Sequence, residues 1–334
     1  MDFQLSDDQR ALRSGMRDLL GAVFDRDRMR AAVERGGGVD RERGVDRGLW
    51  RELGAAGFFA LRLPEEAGGV GLGLPEAVLL FEEAGRALLP GPLVATHLAA
   101  GLVKGAAEGE AVVTVAEGGG RPVADLGGAD AVLVGGGAGQ GLEVLTGEEL
   151  EAFVAGAVPV RSMDPLTRLH RTTGLAGASE AYPGALRREG ALLSAAEQLG
   201  SATRTTEMAV QHARSREQFG SLIGSFQAVK HLCADMLART EPARSAVYAA
   251  AVTGDPVETA AAKLLADEAA VRNARDCLQI HGGMGFTWEA DVHLHLKRAW
   301  LRAARWLTAA EAEEVLAADL DPVRPLYSGS AAVG

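Results

Sequence analysis

The chain has 334 residues, of which 47% are hydrophobic and 24% charged, and its 45 acidic against 34 basic side chains leave a net charge of −11. That length exceeds one compact core, so two or three packed layers or domains are expected, and the apolar content excludes a disordered chain. The acidic balance argues against nucleic-acid or anionic-membrane partners. Cys233 and Cys277 fall in helix-like stretches, which suits reduced thiols in the cytoplasm rather than a disulfide framework. Met1-Asp2-Phe3-Gln4 has neither a basic start nor an apolar run, so no signal peptide is expected, and no stretch reaches the roughly 18 apolar residues of a membrane helix.

Ser6-Asp7-Asp8-Gln9 offers a cap and an acidic first turn, and Leu12, Met16, Leu19, Leu20 and Val23 follow at helical spacing. A second helix is predicted from Arg47 to about Gly54, with Leu49, Trp50 and Leu53 on one face. The glycine-rich stretch Leu63 to Gly71 cannot be helical, and a long apolar helix is expected from Pro75 through Leu88. Residues 1–110 therefore read as an all-helical domain.

Val112-Val113-Thr114-Val115, Ala131-Val132-Leu133-Val134 and Leu142-Glu143-Val144-Leu145 are short β-prone runs separated by glycines, so residues 111–184 read as a small β domain. Its Gly135-Gly136-Gly137-Ala138-Gly139 run passes from strand to strand, whereas a dinucleotide loop leads from strand into helix; a hairpin is the better account. Helices are expected again over Ala191–Arg214 and Gln227–Arg239, and from Asp255, where a cap, Pro256 and Glu258 open a helix ending at His281-Gly282-Gly283. Residues 185–320 form this helical bundle, and 321–334 a tail expected to fray. The fold class is α+β, mostly α.

Two segments could carry chemistry. In Arg216-Glu217-Gln218-Phe219-Gly220, followed by Ser225-Phe226-Gln227, an arginine ends one helix and a glutamine starts the next, a pairing suited to a phosphate. The same fragment also reads as a helix-capping loop. In Gln279-Ile280-His281-Gly282-Gly283-Met284-Gly285-Phe286-Thr287-Trp288-Glu289, glycines leave the backbone bare for a flat or anionic ligand, although one glycine alone would serve as a C-cap. His293 and His295 have no third ligand at helical spacing, so no metal site is expected. Glu289 reads as structural, and Trp300, Trp306 and Leu307 as packing or interface residues.

In order and spacing these two segments resemble the C-terminal domain of the acyl-CoA dehydrogenase family. Trp50-Arg51-Glu52-Leu53, Leu63 to Gly71, Phe81-Glu82-Glu83-Ala84-Gly85-Arg86 and Asp164-Pro165-Leu166-Thr167-Arg168-Leu169 resemble other parts of it, so the likeness spans nearly the whole chain. It implies an N-terminal helical domain, a reduced β domain and a C-terminal four-helix bundle. It also implies FAD across a subunit interface, with Arg216, Gln218, Phe219, Gln227, Gln279, His281, Gly282 and Gly283 toward the pyrophosphate and ADP end.

The family's reaction needs a carboxylate base at the substrate α carbon. Counting from the family's two positions for that glutamate arrives at Leu307 and at Gly190, so no catalytic residue is assigned; Glu189 and Glu197 are the nearby acids. The loop that would meet the flavin ring is represented at best by Ala116 to Pro122. The resemblance therefore implies the shorter, non-catalytic subunit of a heteromeric enzyme, a heterodimer or α2β2 tetramer of the kind found in actinobacterial sterol side-chain degradation. A longer partner would bring the base, the acyl-CoA pocket and the ring, and an electron-transfer flavoprotein could accept the electrons. Two alternatives stay open: a self-sufficient dehydrogenase with a relocated base, and a flavin-free scaffold.

Overall fold

The structure, a computed structural model, describes residues 4–37, 44–118, 120–135, 141–172 and 184–320. The glycine run at 136–139, Gly119 and the tail lie outside them. The chain opens with α1 (Asp7–Val23), α2 (Arg26–Gly37), α3 (Arg47–Ala55), α4 (Leu74–Arg86) and α5 (Leu93–Ala99). Ser6 caps α1 through a reciprocal bond with Gln9, and Asp46 caps α3 at Leu49. Residues Ala77 to Gly85 of α4 are buried on every side, which is why the sequence there is apolar all round. The exceptions, Glu82 and Glu83, are neutralised from outside the helix. Arg17 of α1 donates to Glu83 at 2.8 Å, and Tyr248 donates to Glu82 at 2.7 Å beside Arg244.

The middle segment holds β1 (Val113–Ala116), β2 (Val123–Ala124), β3 (Ala131–Gly135), β4 (Leu142–Leu145), α6 (Gly147–Ala155), β5 (Ala157–Val160) and β6 (Leu169–Thr172). One sheet runs β1-β3-β4, with β1 parallel and β4 antiparallel to β3; the other runs β2-β6-β5 and is antiparallel. Sequence reading finds β1, β3 and β4 but not the two-residue β2, the half-exposed β6 or β5, whose apolar Ala157-Val158-Pro159-Val160 is broken by a proline.

The last segment comprises α7 (Gly184–Ser215), the hairpin β7 (Glu217–Gln218) and β8 (Ser221–Leu222), α8 (Gln227–Thr253), α9 (Pro256–His281), α10 (Val292–Ala303) and α11 (Ala309–Asp319). Two expectations are corrected. α7 starts seven residues before Ala191, and α8 continues past Arg239 to Thr253 with Pro242 inside it. Packing of α8 along α7 and α9 outweighs the single hydrogen bond the proline removes.

The helices of the two ends approach to backbone contact. A Cβ at Gly200 of α7 would lie 1.8 Å from the Glu82 carbonyl oxygen, and one at Gly85 of α4 would lie 1.9 Å from that of Glu197. α4 and α7 therefore cross at the van der Waals limit of their backbones. At the other junction, the buried Arg298 of α10 donates Nε to Asp164, which follows β5, and Nη1 to the Leu89 carbonyl beyond α4 at 3.1 Å. One guanidinium so ties all three segments together.

Gly200→Ala is expected to destabilise the fold by at least about 1–3 kcal/mol, because backbone cannot yield to the methyl group. Arg298→Met, which strands the Asp164 carboxylate in the interior, is expected to cost about 3–5 kcal/mol. Urea unfolding followed by circular dichroism measures both; wild-type midpoints would contradict the packing described.

Candidate functional site

The two motifs singled out in the sequence meet at one end of the bundle. His212, in the last turn of α7, stacks on His281, the last residue of α9, with ring centroids 4.1 Å apart and planes 17° from parallel. His281 Nδ1 lies 2.8 Å from the Cys277 carbonyl, which orients the ring. Burial lowers the His212 pKa, helped by His281 and by the Arg216 charge one turn on. The arginine loop and the glycine turn are thus neighbours on one surface.

Around that stack the predicted residues stand open. Arg216, Gln218, Gln227, Gln279, Gly282 and Gly283 are exposed, and His281 is half-buried. Phe219 is 92% exposed and holds a left-handed backbone, φ +52°, one residue before Gly220. Such an apolar ring in solvent, at a conformation that costs a non-glycine residue about 1–3 kcal/mol, marks a contact rather than a core position. Gln218 spends its amide on the neighbouring Glu217 carbonyl at 2.8 Å. Methyl groups at Gly282 or Gly283 would meet nothing within 4 Å, and Gly282 sits at φ +61° and ψ −143°, a region glycine alone occupies readily.

No side chain caps the start of α8, where Phe226 occupies the N-cap. The first N–H groups of that 27-residue helix and the Arg216 guanidinium therefore make a donor surface suited to phosphate oxygens. These residues fit the diphosphate and adenosine end of a dinucleotide cofactor. Phe226, Met284, Phe286 and Trp288 extend the exposed apolar rim.

The opposite cleft, between α7, α10 and the β segment, is small. Its cavity is about 60 Å³, against the roughly 300 Å³ at which small-molecule pockets begin. Trp306 closes it: φ +62° after α10 turns the indole onto Gly190, where a Cβ would lie 2.2 Å from the ring. Gly190 and Leu307, the two positions at which the resemblance led a base to be expected, thus flank one tryptophan. The nearby acids are tied up. Glu189 accepts from Arg62 at 2.6 Å, and Glu197, buried, accepts from Arg302 at 2.6 Å. Desolvation raises the Glu197 pKa and lowers that of Arg302 to about 10.

Glu117, next to Ala116, turns inward, accepting from the Trp306 backbone N–H and from Arg305 Nε, each at 2.6 Å. The cavity present does not fit a flavin ring. Sequence reading missed Trp306 as the closing residue. The signal for it was Gly190, a glycine deep in a helix whose missing side chain leaves room for the indole.

His293 and His295 are drawn into packing. His295 bonds Ser201 at 2.8 Å, while His293 meets Trp288 edge-on at 4.9 Å. Burial depresses both, to about 3 and about 4.

Asp125 also lines the closed cavity. Its backbone is left-handed, φ +53°, and Oδ1 accepts the Arg168 N–H at 3.2 Å. Burial raises its pKa to about 6, against the opposing pull of that N–H and of Arg298 and Arg305. The folded value lies above the unfolded one, so Asp125 costs nothing below about pH 4 and destabilises the fold increasingly as pH rises through 6. Asp125→Asn, which keeps the acceptor and tolerates left-handed backbone, is expected to gain about 2–3 kcal/mol over wild type between pH 4 and pH 7. Urea unfolding across that range tests it, and a pH-independent difference would contradict the assignment.

Comparison with known proteins gives the family. Residues 6–108 match the acyl-CoA dehydrogenase N-terminal domain, and residues 187–313 match the acyl-CoA dehydrogenase C-terminal domain. The chain is 39% identical over 266 residues to acyl-CoA dehydrogenase IpdE2 of Mycobacterium tuberculosis, covering 77% of this chain and 82% of that protein. It is 36% identical over 331 residues to acyl-CoA dehydrogenase FadE34 of the same organism, covering 86% of this chain but 47% of FadE34. Among solved structures, a variant of the Tcur3481-Tcur3483 steroid ACAD is 25% identical with a TM-score of 0.77, covering 93% of this chain and 97% of that one. The chain belongs to the acyl-CoA dehydrogenase family and has that family's fold.

Proposed function

We propose that this chain is the cytoplasmic, non-catalytic subunit of a heteromeric, FAD-dependent acyl-CoA dehydrogenase that desaturates a steroid side-chain thioester. The observation that carries the reading is the contrast between its two clefts. The nucleotide-tail surface is open and donor-rich, while the place where a base would act holds Gly190, Leu307 and the Trp306 indole.

In this reading Arg216 and the free N–H groups at the start of α8 hold the pyrophosphate, and Gln227 adds its amide. Phe219 covers the adenine. Gln279, Gly282 and Gly283 let the ADP portion approach bare backbone, and the His212–His281 stack sets the spacing between the two motifs. When bound, FAD supplies the acceptor for the β hydride. A longer partner chain supplies the ring pocket, the acyl-CoA site and the α-proton base, and electrons leave to an electron-transfer flavoprotein.

Three further observations support the partner. The exposed aromatic rim around the cradle is the kind of surface another chain buries. FadE34 is about twice as long as its matched segment, leaving room for a second unit of this size within one polypeptide. The steroid ACAD is named for two proteins.

Expression of this chain alone and with a neighbouring acyl-CoA dehydrogenase gene separates the readings. A yellow, acyl-CoA-bleachable protein is expected only on co-expression; the same behaviour from this chain alone would refute the non-catalytic role, and colourless protein in both cases would point to a scaffold. In the complex, Arg216→Ala is expected to weaken flavin retention at least about tenfold while the flavin-stripped complex keeps its wild-type melting temperature, as loss of a charged hydrogen bond at an exposed site predicts. Unaltered flavin stoichiometry would remove Arg216 from the cradle.

A further inference from the structure

The residual cavity behind Trp306 has an unspent chemistry of its own. Arg298 and Arg302 stand four residues apart on one face of α10, with side chains 4% and 8% exposed. Arg298 uses Nε on Asp164 and Nη1 on the Leu89 carbonyl, and Arg302 uses Nη2 on Glu197. Arg298 Nη2 and Arg302 Nη1 are buried with no protein partner, and both residues line the cavity of about 60 Å³. A charged donor left buried and unsatisfied is costly, so two on residues that line one cavity call for a ligand.

We propose that this cavity is a binding site for one small monovalent anion of halide size, held between Arg298 Nη2 and Arg302 Nη1. Size sets an upper bound: a cavity of about 60 Å³ takes a small anion together with water, and neither a flavin ring nor an acyl chain.

Charge agrees on the acid side. Arg298, Arg302 and Arg305 face Asp164, Glu197 and Glu117 one for one. Asp125, which with Glu197 lines the cavity, faces Arg298, Arg305, Asp164 and the Arg168 N–H, and burial favours its neutral form. With Asp125 protonated the three pairs are neutral and the two free guanidinium edges are the donors an anion meets; with Asp125 ionised the cavity already carries the negative charge that excludes it. None of these residues belongs to the nucleotide cradle, so the site stands or falls independently of flavin binding.

Trp306 lines the same cavity and is 4% exposed, which makes it the reporter. The full chain, on the acid side of Asp125 titration, is titrated with bromide while tryptophan emission is recorded. Saturable quenching that chloride displaces and that Trp306→Phe abolishes is expected. The paired substitution Glu197→Gln with Arg302→Gln, which keeps a neutral hydrogen bond, is expected to weaken bromide at least tenfold. Crystals grown with bromide should show an anomalous peak between Arg298 and Arg302, and that peak decides the matter should the paired variant fail to fold. Exposed Trp288 and Trp300 give linear quenching in any case; absence of a saturable component that Trp306→Phe removes, or ordered water alone between Arg298 and Arg302, would overturn the site.

Discussion

The structure depends on one buried guanidinium. Arg298 reaches from α10 to Asp164 of the β segment and to the Leu89 carbonyl of the N-terminal helices, so three segments with separate sequence textures share a single charge. Such a charge in the interior is tolerable only because carboxylate and carbonyl meet it together. Its consequence is register. Once Arg298 is seated, α10 has one rotation and one height, and Arg302, Arg305 and Trp306 fall where they close the cleft against Glu197, Glu117 and Gly190.

Closure at that end and openness at the other follow different energetics. In the closed cleft, two arginines and two carboxylates are desolvated in pairs, and an indole fills the space left by a glycine; nothing there moves without exposing a charge. At the end of α7 and α9, Phe219, Phe286 and Trp288 lie in water and the start of α8 is uncapped, so binding there gains apolar burial and charge-assisted hydrogen bonds. A surface that gains so much on being covered is incomplete by itself. That is the physical content of the proposed division of labour: this chain presents a grip and withholds a reaction chamber.

Much of the architecture was legible because local signals agreed with the global fold. Ser6, Asp46 and Asp255 cap helices as their spacing predicts, and the glycines after His281 end α9. The elements that escaped are those without a local signal: β2, β5 and β6 are short and lack apolar alternation, and α8 continues through Pro242 because packing on two neighbours holds it. The arginine loop and the glycine turn were each legible as ligand-facing segments. Their adjacency was not, since the His212–His281 stack joins residues 69 apart in sequence.

By itself, then, the sequence determined the helical punctuation, the family motifs and the lack of an acid at Gly190 and Leu307, because each depends on residue identity at a short spacing. Only the tertiary structure decided what packs against those two positions. Trp306 and Gly190 are 116 residues apart, and which large side chain fills which small one's space depends on how α10 is seated against α7, a long-range packing choice that no local pattern encodes.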